Sequence, residues 1–189
     1  MLSAGTVALV QAGLSRAEAG FSTLLEVPLQ IEVEGLGLED PAGLAALAGR
    51  PEELVTGVYV GFAGDLHGHC LLYLDPENEQ RLVQRLLGDD AEAALSESAL
   101  LEVGNITVSG LVGGVADRGG WRIQVSPPVL ARDMLGSLLN SVLAAASLSS
   151  QKLLAVRARF HTQGEAIQGT VLLMPDAASL AVLLAVRPV

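Results

Sequence analysis

One apolar segment, residues 97–116, carries three glycines on a single side of a predicted helix. In helical geometry Gly104, Gly110 and Gly114 share that side with Leu100, Val103, Thr107 and Leu111. Each glycine costs a helix about 1 kcal/mol relative to alanine, so three on one side indicate that a neighbouring backbone needs the space. The segment therefore predicts a helix that packs very closely against another helix or a sheet.

The opposite side of this helix carries a polar stripe. Ser98, Glu102 and Asn105 stand at i, i+4 and i+7, so their side chains fall within about 60° of arc. Ser109 and Ala116 extend the stripe with small residues, which would let a partner approach closely. We expect Glu102 and Asn105 to point outward, and Ser98 to be a helix cap or a hydrogen-bonding neighbour rather than a nucleophile.

Pro128 completes a spaced set with three of these residues, Ser-x₃-Glu-x₂-Asn-x₂₂-Pro. The set resembles the signature (Asp or Ser)-x₃-Glu-x₂-Asn-x₂₂-Pro of the CheC/CheX/FliY phosphatases of bacterial and archaeal chemotaxis. All four positions match, and Glu-Val-Gly-Asn-Ile stands where the family has Glu-x-Gly-Asn-Ile. Pro128 is expected to be structural and to end a strand beside the site.

The resemblance implies that the chain assists another protein's active site. Its substrate would be the aspartyl phosphate of a CheY-like response regulator, whose receiver domain already holds Mg²⁺ and a lysine. Asn105 would hold the attacking water, as glutamine does in GTPases, and Glu102 would pair with the receiver lysine. Ser98 and Ser109 would bind substrate, and the phosphatase would need no metal or cofactor of its own.

Other functions stay open. A degenerate family member would be a non-catalytic adaptor or switch component that binds a response regulator or the deamidase CheD, which CheC-type proteins also bind. An unrelated small-molecule binding module would show a deep apolar pocket away from residues 98–109. A homodimer is also compatible with the sequence, because the apolar C-terminal segment SLAVLLAV needs to be covered.

The predicted elements occur twice in the same order. The first half, about residues 1–90, gives a helix (5–25), a strand (28–35), a loop with one helical turn, a hairpin (54–74) and a helix (76–87) capped by Asp75. The second half, about 95–189, gives a helix (97–116), a short strand stopped by Pro127 and Pro128, a helix (132–147), a hairpin (152–162 and 166–174) and a helix after Asp176. The segments GHCLLYLDP and GTVLLMPDA are weakly similar.

The family resemblance implies how these repeated elements are arranged in space. It implies a single α+β domain over 1–189, with two pseudo-symmetric halves, one antiparallel sheet of about six strands and two long helices on one side. Larger family members carry the Glu/Asn pair on both long helices. Here the first helix aligns Val7, Gln11 and Leu14 with the three motif positions, so its site is predicted to be degenerate.

Charge and composition exclude several classes of function. The net charge is −10, from 11 basic and 21 acidic residues, so the chain lacks the basic surface that nucleic acids or anionic membranes need. A partner that presents cationic groups is favoured instead. No uncharged run reaches the roughly 18–20 residues of a membrane span, and the N-terminus is predicted to be a helix rather than a signal peptide. A cytoplasmic protein is expected.

The remaining reactive side chains point to no chemistry of their own. His67 and His69 would share one face of a strand, as metal ligands can, but only Asp65 stands nearby as a third ligand. We therefore expect solvent-exposed histidines at a hairpin tip. Cys70 is expected to be a small buried hydrophobe, and the acidic run at 88–92 is expected to link the two halves.

Overall fold

The computed structural model describes residues 2–145, 153–162 and 167–186, in elements that follow the predicted order. The helices are α1 (Ala4–Leu25), α2 (Pro41–Ala48), α3 (Pro76–Leu87), α4 (Ala93–Gly119), α5 (Leu135–Ala145) and α6 (Ala177–Ala185). The strands are β1 (Leu29–Glu39), β2 (Leu54–Gly64), β3 (Gly68–Leu74), β4 (Ile123–Val125), β5 (Val129–Met134), β6 (Leu153–Thr162) and β7 (Gly169–Pro175). Positions 146–147, 152 and 166 of the predicted elements lie outside the described residues.

Short polar side chains fix where several helices begin. Asp40, Asp75 and Asp176 each accept a hydrogen bond from the backbone N–H three residues later, and Ser3 does the same for α1. Pro76 follows Asp75 with a backbone angle suited to the first turn. The predicted start of α3 is therefore confirmed, and residues 88–92 connect α3 to α4 as expected.

Two segments differ from the prediction. The region after residue 35 was expected to be a loop with one helical turn, but β1 continues to Glu39, and the expected turn is the eight-residue helix α2. Residues 129–134 form β5, although the predicted helix began at 132. In β5, Leu130 to Met134 pair with Leu54 to Val58 of β2, and this long-range pairing overrides the local helical pattern.

All strands of the described residues join one antiparallel sheet of seven strands, in the order β1-β6-β7-β3-β2-β4, with β5 also paired to β2. The two predicted hairpins meet at the centre, where β3 lies against β7. Leu71 and Leu172, which occupy equivalent positions in the two similar segments, are direct partners there. The sheet thus has the expected pseudo-twofold arrangement and the α+β class is confirmed.

Helices cover the two faces of the sheet unequally. The long helices α1 and α4 pack together on one face, and their side chains, such as Leu9, Phe21 and Val103, share the main core with Val60 and other sheet residues. A smaller core on the opposite face packs α5 and the end of α2 on the sheet. The predicted placement of two long helices on one side is confirmed; the second layer was not predicted.

The glycines of α4 lie where the packing is closest. A Cβ on Gly114 would stand 2.6 Å from the carbonyl oxygen of Ala12, and one on Gly110 would stand 2.6 Å from the Cα of Ala17, both in α1. A Cβ on Gly104 would stand 2.3 Å from the side chain of Val58 in β2. Helix α4 is long and apolar enough to cross a membrane, and 61% of its apolar window is buried inside the protein, as in a core helix.

Candidate functional site

The four residues of the motif lie along one open groove of about 500 Å³. Ser98, Glu102 and Asn105 line it from α4, and Pro128 lines it from the turn between β4 and β5. The chain must run down the rest of α4 and return along β4 before it reaches this turn. The 22 residues between Asn105 and Pro128 in the motif are therefore the stretch of chain that connects the two walls of the groove.

Hydrogen bonds to β2 hold the wall opposite α4. The backbone N–H of Ser126 donates to the carbonyl oxygen of Gly61 at 2.8 Å, and the N–H of Gly61 donates to Ser126 Oγ at 2.9 Å. Pro127 and Pro128 follow, and neither has an N–H to continue the ladder. Pro128 thus stands just beyond the end of β4 and beside the groove. Pro127 and Pro128 were predicted to stop this strand, whereas Ser126 was not singled out from the sequence.

The side chains of the stripe differ in exposure and in partners. Glu102 is exposed, whereas Asn105 and Ser109 are half-buried. Ser109 Oγ donates to Asn105 Oδ1 across a distance of 3.4 Å, so the two side chains face each other one turn apart. Ser98 is exposed and its Oγ donates to the carbonyl oxygen of Ala94 at 3.0 Å. The groove therefore presents a carboxylate and a carboxamide side by side.

One of the two roles expected for Ser98 is wrong. Helix α4 begins at Ala93, so Ser98 lies inside the helix and cannot be a cap. Its hydrogen bond to Ala94 agrees with the other expectation, that of a hydrogen-bonding neighbour. The expected extension of the stripe to Ala116 is also wrong. Ala116 is buried, at 5% exposure, because the end of α4 turns this position toward the core. The exposed stripe therefore reaches Ser109 and does not continue to Ala116.

An ion-pair network fixes the N-terminal half of α4 on the sheet. Arg132 of β5 donates from Nη1 to Glu97 Oε1 of α4 at 2.9 Å, and from Nη2 to Glu79 Oε1 of α3 at 2.9 Å. The hydrogen bonds that Arg132 donates to Glu79 and Glu97 raise the pKa of Arg132. Because Glu97 immediately precedes Ser98, the network connects the start of the polar stripe to β5 and α3.

The aligned positions of α1 differ in burial. Gln11, which was aligned with Glu102, is exposed, and Val7 is half-buried. Leu14, which was aligned with Asn105, is 5% exposed and packs in the core, so no polar side chain stands at that position. That the first half lacks an active site stays a prediction.

The expectation that both histidines are solvent-exposed is confirmed for His67 and wrong for His69. His67 is exposed, but His69 is half-buried, stacks on the ring of Tyr59 with centroids 5.4 Å apart and hydrogen-bonds its hydroxyl. Burial lowers the pKa of His69, and the nearby charge of Asp176 partly opposes this. Cys70 is fully buried as predicted. No group of three or more potential metal ligands occurs within the described residues.

The largely apolar groove on the opposite face of the sheet is small. It has a volume of about 220 Å³ and lies between β5, β2 and α5, with Tyr59, Val129 and Leu138 among its lining residues. Sites for small molecules usually measure about 300–1,000 Å³. This groove therefore gives little support to the small-molecule alternative.

Comparison with known proteins shows similarity in sequence to a chemotaxis protein. The chain is 30% identical over 129 residues to CheC1 of Halobacterium salinarum, which is described as a candidate CheY-P phosphatase. The match covers 66% of this chain and 65% of that protein, so the chain spans slightly less than two thirds of its relative. No protein-family model matches the chain.

Solved structures share the fold at low sequence identity. FliY of Thermotoga maritima superposes with a TM-score of 0.74 at 14% identity, covering 95% of this chain and 93% of FliY. CheX, in a CheX–CheY–BeF₃–Mg²⁺ complex from Borrelia burgdorferi, gives 0.56 at 19% identity, covering 88% and 97%. The FliM middle domain of Vibrio alginolyticus gives 0.61 at 12% identity, covering 94% and 96%. The chain is thus similar to CheC1 in sequence, and it shares its fold with FliY, CheX and the FliM middle domain.

Proposed function

We propose that the chain accelerates hydrolysis of the aspartyl phosphate of a CheY-like response regulator. The observation that supports this most directly is the single groove that carries Glu102 and Asn105 together with Ser98 and Pro128. The description of the Halobacterium relative names the same reaction. The similar CheX structure is bound to CheY, which supports a receiver domain as the partner.

Asn105 is suited to hold the attacking water. A carboxamide donates and accepts hydrogen bonds at once, and this one is half-buried between the helix and the Pro128 wall. In the proposed reaction the water attacks phosphorus and the bond to the aspartyl oxygen breaks, while Asn105 fixes the line of attack. Loss of such a positioned group typically raises the barrier by about 3 kcal/mol, or roughly a hundredfold in rate.

Glu102 is suited to docking. Its carboxylate is exposed, and within the described residues it enters no ion pair. The receiver domain brings a lysine to its phosphorylation site, and the negative charge of this chain favours such a cation. Ser98 and Ser109 flank the pair and would contact the receiver. In this proposal Mg²⁺ belongs to the receiver domain, and this chain adds no metal or cofactor.

Loss of phosphate from a phosphorylated CheY-like receiver domain tests the proposal. Wild type should accelerate it, and Glu102→Ala and Asn105→Ala should each abolish most of the acceleration. Asn140→Ala is the matched control, because Asn140 is an exposed asparagine on α5, on the other face of the sheet. An unchanged rate with Asn105→Ala would contradict the proposal.

A non-catalytic adaptor or switch component is the second candidate, favoured by the fold that the chain shares with the FliM middle domain. Asn105→Asp separates the two functions, since hydrolysis should collapse while binding to the receiver survives. If the wild-type chain binds the phosphorylated receiver tightly without hydrolysing its aspartyl phosphate, the result would support the adaptor and refute the phosphatase. Binding to CheD and formation of a homodimer remain predictions, to be tested by co-purification and by sedimentation.

A further inference from the structure

A second, larger cleft continues from the groove along α4. It has a volume of about 730 Å³ and lies between the C-terminal half of α4 and β4. Ser109 contacts Asn105 and also lines this cleft, and Val125 lines both. From Asn105 to Gly113 on the cleft wall, α4 advances by only about 12 Å. A protein domain seated on Asn105 would therefore cover the cleft as well.

Charges of both signs line this cleft in an otherwise acidic chain. Arg16 and Arg122 line it together with Asp65 and Asp117, so the charges of the lining balance, whereas the whole chain has a net charge of −10. A partner group that complements an arginine left without an ion pair would be negative, which is the opposite of the preference at Glu102.

One arginine is left available by the local contacts. Arg16 pairs with Asp117, and the Asp65 carboxylate accepts a hydrogen bond from the backbone N–H of Arg122 at 2.8 Å. The side chain of Arg122 is exposed and forms no ion pair within the described residues. Its backbone is held in place while its guanidinium stays open to a partner.

Trp121 supplies an apolar wall next to this cation. The indole is half-buried and packs on the end of α4, where a Cβ on Gly119 would lie 2.1 Å from the ring. Tryptophan and arginine are the residue types most enriched among the energetically dominant positions of protein interfaces. The cleft thus joins a fixed aromatic ring to an available guanidinium, beside the proposed site.

We propose that this cleft is a second docking subsite for the phosphorylated receiver domain and binds an acidic segment of that partner. The inference rests on the proposed function. Glu102 offers negative charge at one end of the surface and Arg122 offers positive charge at the other, so a partner with complementary charges can dock in one orientation only. A guanidinium recognises carboxylates by paired hydrogen bonds, which makes Arg122 the specificity-determining residue.

Steady-state hydrolysis with a charge-reversed arginine tests the subsite. Arg122→Glu should raise KM for the phosphorylated receiver about tenfold and leave kcat unchanged, because the substitution weakens association only. Arg85→Glu is the matched control, since Arg85 is exposed in the last turn of α3 and the change in net charge is the same. The control variant should have the same KM and kcat as wild type. Added salt should raise KM for wild type more than for Arg122→Glu.

A binding measurement that does not depend on activity uses Trp121, the one tryptophan of the chain. Protein labelled with 5-fluorotryptophan gives a single ¹⁹F resonance, which should shift when an unlabelled receiver loaded with Mg²⁺ and beryllium fluoride is added. Arg122→Glu should require about tenfold more receiver for the same shift, and Arg85→Glu should not. These results would support the subsite.

Two outcomes would overturn the subsite and are distinguishable from failure of the proposed function. Hydrolysis by wild type with no ¹⁹F shift, or with the same KM for Arg122→Glu and Arg85→Glu, would refute the subsite and still support the phosphatase function. Absence of both hydrolysis and the shift would refute the subsite and the phosphatase function together. A shift that depends on Arg122, without hydrolysis, would support the subsite and refute catalysis alone.

Discussion

Adding one methyl group at either of two adjacent glycines of α4 should have opposite effects on stability. At Gly114 a Cβ would lie 2.6 Å from the carbonyl oxygen of Ala12 and 2.7 Å from the Cα of Gly13, both backbone atoms of α1. At Gly113 a Cβ would meet only the guanidinium of Arg16, at 3.3 Å or more. The first neighbour is fixed by a helix, and the second is the end of a flexible side chain.

The geometry sets the size of the difference. Carbon atoms pack best at about 3.5–4.0 Å, so Gly114→Ala would force α1 and α4 apart by roughly 1 Å, and such overpacking costs about 1–3 kcal/mol. Both substitutions gain the same helix propensity, about 1 kcal/mol. Gly113→Ala should therefore be neutral or stabilising by up to about 1 kcal/mol, and Gly114→Ala should lie about 1–3 kcal/mol below it.

Urea unfolding followed by circular dichroism measures both free energies of unfolding in the same experiment. The midpoint should fall for Gly114→Ala relative to Gly113→Ala, with an unchanged slope. In thermal unfolding the same difference corresponds to about 2–4 °C in Tm for each kcal/mol. Equal stability of the two variants would refute the reasoning, because it would mean that α1 and α4 do not touch at the Gly114 backbone.

Two further predictions concern His69 and Cys70, which are neighbours in β3. Burial lowers the pKa of His69 below its ordinary value of 6.5, so the unfolded chain binds the proton more readily, and the stabilising contribution present above that pH is lost as the pH falls below it. The drop in urea midpoint between about pH 7.5 and about pH 5.5 should be smaller for His69→Gln than for wild type, and an equal drop would contradict the assignment. Burial also raises the pKa of the Cys70 thiol, so a thiol reagent should label the native chain far more slowly than the urea-unfolded chain. Equal labelling rates would show that Cys70 is accessible.

The main elements of the fold could be predicted because local signals agree with the tertiary structure. Asp75 followed by Pro76 fixes the start of α3, and the three glycines of α4 predict a closely packed partner before any partner is known. Strand β5 escaped prediction because Arg132 and Asp133 carry no strand pattern. The pairing of β5 with β2, and the contacts of Arg132 with two helices, form only in the folded chain.

The site shows the same division between local and long-range information. Helical spacing is local, so the shared face of Glu102 and Asn105 follows from the sequence. The two prolines mark the end of β4 locally, but the position of this wall opposite the stripe depends on hydrogen bonds between Ser126 and Gly61, which are distant in sequence.

Decay of a phosphorylated CheY-like receiver domain, with this chain at substoichiometric concentration, tests the role of Asn105 most directly. We predict that wild type turns over many receivers, and that Asn105→Ala is slower by about a hundredfold while it still binds the beryllium fluoride-loaded receiver. Equal decay with wild type and Asn105→Ala, at equal binding, would contradict the assignment of Asn105 as the residue that positions the attacking water.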